Sequence, residues 1–356
     1  MIYCRNTTPD YKLRAKQMWE VNSFLTFLQK TTNLIRSNKS LFFLMVLTSI
    51  CTSSYSQKTQ SYSVSQSEIE KYIKLNNNEH RLLEYKDDKT SLLLKLQQLH
   101  HINASRKKYK KDPVELDILA SRVANKISKQ AAQKKFMGHF NTDGESPYHR
   151  YAFAGGTHHI VENASAISAN QKLPAAENDI TAYMQQLHNA FMAEKAPNDG
   201  HKQNCIHPHH NFVGIGYYIY NNQFRYYEEF VDQYLKFGDF QETVTINQSV
   251  NLPVKPVKNK HLYMALAYYE KKTGKMSVAA INRKKVYNDY TSELTHQILP
   301  WNLPQQNNEG YTPLRFTFTK KGLYYIQIFV DDKPYSGGKA TTKNKIQASG
   351  VVIEVE

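Results

Sequence analysis

The chain runs to 356 residues with a formal net charge of +15, and 40% of it is hydrophobic. That length allows two domains, and 25 tyrosines and 16 phenylalanines can fill packed cores, so an intrinsically disordered protein is excluded. The basic balance suits polyanions, anionic lipid headgroups or acidic wall polymers, but no nucleic-acid-binding motif accompanies it.

At the N-terminus, Arg36 and Lys39 precede the apolar run Leu41–Ile50, and Ser54 and Ser56 then suit signal-peptidase cleavage before Gln57. A run of ten residues in a helix covers roughly half of a bilayer, which argues against a permanent transmembrane segment. Residues 1–56 are therefore expected to be a signal peptide region, and the protein to be secreted or periplasmic. The rival reading is a lipoprotein anchor at Cys51, disfavoured by the bulk of Ile50 before it. The stretch ahead of Leu41 is unusually long for a signal, which leaves open a start downstream of Met1. Removing residues 1–56 takes away seven basic and two acidic residues and leaves +10. Cys205 is then the one cysteine left, so no intramolecular disulfide can form.

Residues 57–87 read as a polar linker followed by a charged helix within 67–86, interrupted at Asn76–Asn78. From Thr90 the pattern turns helical, with Leu92, Leu96, Leu99, Asn103 and Arg106 on one face. A second helix is expected to start with Asp112 as N-cap, Pro113 in the first turn and Glu115 closing a capping box. Its buried stripe would be Leu116, Leu119, Val123, Ile127 and Ala131, with Gly138 as the stop. A third helix carries Ile180, Met184, Leu187 and Phe191. Phe212–Tyr220 is a strand, and Phe224–Val231 is its hairpin partner across Asn221 and Asn222. Residues 88–239 are thus expected to form one α+β domain. Beyond Phe240, the runs Glu242–Leu252, His261–Tyr269, Lys275–Ile281, Leu314–Phe318, Leu323–Val330 and Gly350–Val355 are strand-like. Residues 240–356 are expected to form an all-β, sandwich-like accessory domain with no catalytic constellation.

Histidine placement is the most informative local signal. Nine of the 14 histidines lie between His139 and His210, namely His139, His149, His158, His159, His188, His201, His207, His209 and His210. Imidazole ligates zinc and moves protons near neutral pH, yet none of these has a compact metal-binding spacing. The run His207-Pro208-His209-His210 reads as a solvated loop.

Four blocks change that reading. His139 is followed by Asp143-Gly144-Glu145-Ser146-Pro147 and then Arg150. Glu162-Asn163 comes next, and His201 stands ahead of Val213-Gly214-Ile215-Gly216. Upstream lie Asn103 and Arg106. In this order they resemble the CAP superfamily of cysteine-rich secretory proteins, plant pathogenesis-related proteins and venom allergens, and within it the bacterial exported, SCP-like members. The resemblance implies an α-β-α sandwich whose cleft holds His139, His201 and Glu162. Glu194 and Asn163 are further cleft residues, and Asn103, Arg106 and Arg150 are supports. The second acidic residue of the eukaryotic members does not transfer cleanly, and Glu194 is its substitute here. The family's disulfides and a tryptophan near the third helix are missing, and Ala164 stands where a larger aliphatic is common.

Two histidines and a carboxylate could hold zinc with a position left open, Glu162 ligating, orienting a histidine or taking a proton as the catalytic candidate. The resemblance favours a non-enzymatic binding protein for a lipid, cell-wall component or protein ligand, with a divalent metal in the cleft. The alternative is a metal-dependent hydrolase of peptide or cell-wall polymer. A third reading is an adhesion module in which the C-terminal domain does the work. Cys205 reads as a small buried residue, and Trp301 as a partly buried aromatic or a carbohydrate-stacking platform.

Overall fold

The computed structural model describes residues 59–284, 286–287 and 293–356. The expected signal peptide and Cys51 lie outside them. Among the described residues, no helix is long and apolar enough to cross a membrane.

Ser65 accepts a hydrogen bond from the Glu68 amide and so starts helix α1 (Gln66–Asn78), the helix expected within 67–86. Asp88 does the same for α2 (Lys89–Lys108) through Ser91 N. The next start differs from the sequence expectation. Asp117, not Asp112, caps α3 (Ile118–Lys134), accepting from Ala120 N at 2.7 Å. Residues 115–116 instead form the short strand β1 (Glu115–Leu116), parallel to β3. Asn103 explains the difference. Its side chain donates to Val114 O at 2.9 Å and accepts from Val114 N at 2.8 Å, holding that segment extended where a capping box would coil it. The helix ends at Lys135 in the left-handed conformation, φ 58°, three residues before Gly138.

After the one-and-a-half-turn helix α4 (Pro147–Ala152) come β2 (His159–Ser168), α5 (Glu177–Ala193), α6 (Gly200–Cys205), β3 (Phe212–Tyr220) and β4 (Gln223–Asp232). The expected hairpin is present, with Tyr220 opposite Gln223 and Asn221 at φ 54° in its turn. The sheet order is β1-β3-β4-β2, which makes β2 an edge strand. Alternation along β4 serves two layers. Phe224, Tyr226 and Phe230 pack with Leu96, Leu99, Met184 and Leu187 of α2 and α5, whereas Tyr227 and Val231 pack with α3. The result is the expected α-β-α arrangement. Gly214 and Gly216 let α3 lie directly on β3, since a Cβ at either would stand 2.3 or 2.2 Å from the carbonyl carbons of Ala120 and Ala124.

Beyond β4 the chain turns to strands: β5 (Leu235–Phe237), β6 (Thr243–Val244), β7 (Ser249–Pro256), β8 (His261–Glu270), β9 (Leu294–Ile298), β10 (Thr312–Thr317), β11 (Gly322–Asp331), β12 (Ile346–Gln347) and β13 (Val351–Val355). They form a sheet β10-β7-β5 and a larger one, β6-β13-β11-β8-β9, with β12 on β11. The two sheets share one core of Leu252, Val254, Leu314 and Phe316 against Ala267, Tyr324, Ile326, Ile328 and Ile353. Two expected strands are corrected. Glu242–Leu252 is broken into β6 and the start of β7 by a turn at Asn247, φ 65°. Lys275–Ile281 leads into helix α7 (Val278–Arg283), capped by Ser277, rather than forming a strand.

The two halves share side chains. Leu323, Tyr325 and Val352 on the outer face of the larger sheet pack with Leu119, Tyr148 and Ile160. Ile281 of α7 packs with Ala124, Ile127 and Phe136. Tyr148 Oη donates to Glu270 Oε1 at 2.6 Å, and His149 Nε2 lies 2.7 Å from Glu270 Oε2.

Candidate functional site

On the edge strand β2, alternation turns the adjacent residues Glu162 and Asn163 to opposite layers, and each organises one of two groups of side chains that meet at that edge. On the α3 side, Glu162 Oε1 lies 2.8 Å from His139 Nδ1. Its other oxygen receives Arg150 Nη2, which also reaches Glu229 Oε1 at 3.5 Å. Arg150 Nη1 donates to His139 O at 2.6 Å and Glu145 O at 3.3 Å, so it anchors the loop before Pro147. On the α6 side, Asn163 Nδ2 donates to His201 O at 3.0 Å and to Cys205 Sγ at 3.2 Å. Glu194, the first residue beyond α5, accepts from His201 N at 3.0 Å and stands 2.5 Å from His201 Nδ1. The two groups bring His139 and His201 face to face, with ring centroids 6.3 Å apart and tilted by 31°.

Each imidazole is therefore held through Nδ1 by its own carboxylate, which sets the tautomer and aims Nε2 away from that carboxylate. Glu162 is 1% exposed, and burial raises its carboxyl pKa against the lowering effect of the Arg150 guanidinium. Glu229, directly opposite it on β4, is raised well above the usual carboxylate range by burial and by the neighbouring Glu162 charge. Two carboxyls facing one guanidinium retain a proton more readily than isolated ones.

Sequence reading missed several residues here. Glu229 stands behind Glu162, and Tyr287 roofs the cleft from the C-terminal half. The Tyr287 hydroxyl accepts from Glu162 N at 2.8 Å, and its ring lies 4.8 Å from that of His139. Glu228, on the other face of β4, is 2.7 Å from His188 Nδ1 and accepts from the Tyr226 hydroxyl at 2.7 Å. An acidic pair set between the aromatic runs Tyr226-Tyr227 and Phe230-Val231 of a strand was the available signal. Arg106, fully buried, fastens the carbonyls of Asp112, Cys205 and His210 at 2.8, 2.7 and 3.2 Å. Cys205 is buried, and burial pushes its thiol well above the usual range, as an inert residue requires.

The cleft's donor set can be tested against a metal. Two imidazoles on one tetrahedral zinc, at roughly 2.0–2.1 Å, place their ring centres roughly 5 Å apart. The separation of 6.3 Å exceeds this by an amount that side-chain rotation can supply. A rotation of that size would let His139 and His201 share a zinc ion, with Glu162 and Glu194 as the groups that orient them. Among the described residues, one set of three donors already converges within 4.8 Å, namely His188, Cys205 and Glu228. It is fully buried, and both His188 nitrogens have partners, Glu228 at 2.7 Å and Ser105 Oγ at 3.0 Å. It is a closed hydrogen-bond network.

An α-β-α domain with a paired His/Glu cleft at its β2 edge is what the fold and site define. Residues 99–234 match the model of the cysteine-rich secretory protein family, CAP, and this part of the chain is a CAP domain. Solved structures of low similarity include an outer surface protein from Borrelia burgdorferi, 14% identical over 49% of this chain and 98% of that one, with a TM-score of 0.29. An extracellular protein containing an SCP domain from Bacillus anthracis is 15% identical, with a TM-score of 0.29, over 49% of this chain and 45% of that one, less than two thirds of its length. A chitin binding domain from Burkholderia pseudomallei is 9% identical, with a TM-score of 0.20, over 33% and 57% of the two chains. No curated protein matches the chain.

Proposed function

We propose that the protein is an exported, non-enzymatic CAP-domain binding protein. Its His139–His201 cleft takes a divalent metal, zinc by its donor chemistry, and with it an extracellular ligand of the lipid, cell-wall or protein class. The observation that carries this reading is the pairing itself: two facing imidazoles, each with Nδ1 committed to a separate carboxylate. Zinc held by two imidazoles would keep positions open to an oxygen of the ligand. Export, secreted or periplasmic, is supported by the charge-then-apolar pattern of residues 36–56.

Hydrolysis draws less support from the same geometry. A general base needs a carboxylate oxygen at liberty to take a proton from water. Both oxygens of Glu162 are engaged, one by His139 and one by Arg150. Calorimetric zinc titration tests the proposal. The intact chain is expected to bind, the His139→Ala/His201→Ala double variant to give no site-specific heat, and Glu194→Gln to weaken binding by roughly 10–100-fold. An unchanged isotherm in the double variant would remove these histidines as ligands.

A further inference from the structure

The C-terminal half carries a feature far in sequence from the cleft. A single 3-10 turn, Pro300–Asn302, follows β9 and leaves Trp301 54% exposed. Leu83 and Val286 are at least as exposed, but the indole offers a flat aromatic face that they lack. Its ring is braced rather than loose. Tyr335 lies 5.9 Å from it and 6.0 Å from Tyr263, and the Tyr335 hydroxyl is fixed by donation to Gly338 O at 2.6 Å.

Beside this turn, the edge strands β9 and β10 of the two sheets border a cavity of about 470 Å³. Ile298, Pro304 and Pro313 give it an apolar part, and Gln297, Asn302 and Arg315 bring polar ends to it. Those three are exposed, and among the described residues none has a side-chain hydrogen bond or ion pair. The Arg315 guanidinium is therefore without an ion-pair partner at the rim of a cavity that also takes in Asn302, the residue after Trp301.

We propose that this edge binds an acidic polysaccharide, a sugar chain bearing carboxylates. The C–H face of a pyranose packs on an indole, the Gln297 and Asn302 amides can exchange hydrogen bonds with hydroxyls, and a uronate carboxylate matches the fork of Arg315. Charge complementarity selects this class: a neutral glycan leaves Arg315 unmatched, and a phosphate polymer has no use for the indole. The balance of +10 left once residues 1–56 are removed favours the approach of an anionic ligand. The site is independent of any metal in the cleft.

The chain holds two tryptophans, so the full-length Trp19→Phe variant leaves Trp301 as the sole tryptophan reporter under excitation selective for indole. Titration with oligogalacturonate is expected to shift its emission saturably. Calorimetry should show affinity falling at least tenfold in Trp301→Ala and in Arg315→Gln, with Trp301→Phe retaining most of it and all three melting as the parent does. Galactose oligomers without carboxylates should bind at least tenfold more weakly. Binding that survives Trp301→Ala, or that inorganic polyphosphate displaces equally well, would overturn the proposal in favour of general attraction to a basic surface. Equal affinity for neutral and acidic oligomers would overturn the acidic class.

Discussion

Two central strands of this molecule are buried along nearly their whole length, and they are built from opposite materials. Strand β11 of the C-terminal half packs Leu323, Tyr324, Tyr325, Ile326, Ile328, Phe329 and Val330, with Gln327 as its one buried polar side chain. Strand β4 of the CAP domain buries Arg225, Glu228, Glu229 and Asp232 among its aromatics. Burying a charge costs several kcal/mol unless it is paired. The β4 charges do have partners: Arg225 donates to Phe136 O at 2.8 Å, and Asp232 holds His210 at 2.7 Å and His159 at 2.8 Å. The contrast separates a strand that only packs from one that also fixes the positions of histidines and loops.

The comparison can be broken most severely at Arg150. Arg150→Met strands Glu162 and Glu229 side by side, and should lower stability by about 3–5 kcal/mol in denaturant melts at pH 7 while abolishing zinc binding. The carboxyls would then have folded pKa values raised still further. Their contribution is present at low pH and lost as pH rises, so the deficit should shrink on acidification. Ile328→Ala, in the middle of β11, should cost about 2–5 kcal/mol through cavity formation and leave the zinc isotherm unchanged. A zinc site lost in Ile328→Ala would show that the two strands are not separable in this way.

Acid provides a finer probe. Burial lowers His158 to about 4, against the raising effect of Asp232, and among the described residues its Nδ1 has no hydrogen-bond partner. A histidine with a depressed folded pKa contributes stability that is complete above its unfolded value, near 6.5, and lost as pH falls toward about 4. This histidine should contribute roughly 1–3 kcal/mol to the difference between melts at pH 7 and pH 5, and His158→Phe should reduce that difference. The smallest effect is expected at the exposed Lys71–Glu115 pair, 2.8 Å apart, where Lys71→Ala should change stability by under about 0.5 kcal/mol.

The sequence made the CAP half legible because its signals are local: amphipathic stripes, a two-asparagine hairpin, and short blocks around His139, Glu162 and His201. It was least legible where a distant side chain decided the outcome. Asp112-Pro113 is an adequate helix start by itself, but Asn103 claims Val114 from another element and moves the cap to Asp117. Glu194 was recognised only as a substitute, since nothing local says that a residue beyond a helix end will meet His201 seven positions later. Tyr287 could not be read at all, because its role depends on how α7 docks against α3.

That docking bears on where the protein can be cut. Residue 234 ends the stretch with recognised kin, yet severing there would remove at one stroke the methyl groups that cover Gly138, the carboxylate that Tyr148 and His149 share, and the phenol beside His139. The excised piece would carry every ancestral hallmark and still present a differently walled, partly unroofed pocket. Kinship and physical integrity thus draw different borders through one polypeptide, and ligand measurements belong to the larger of the two.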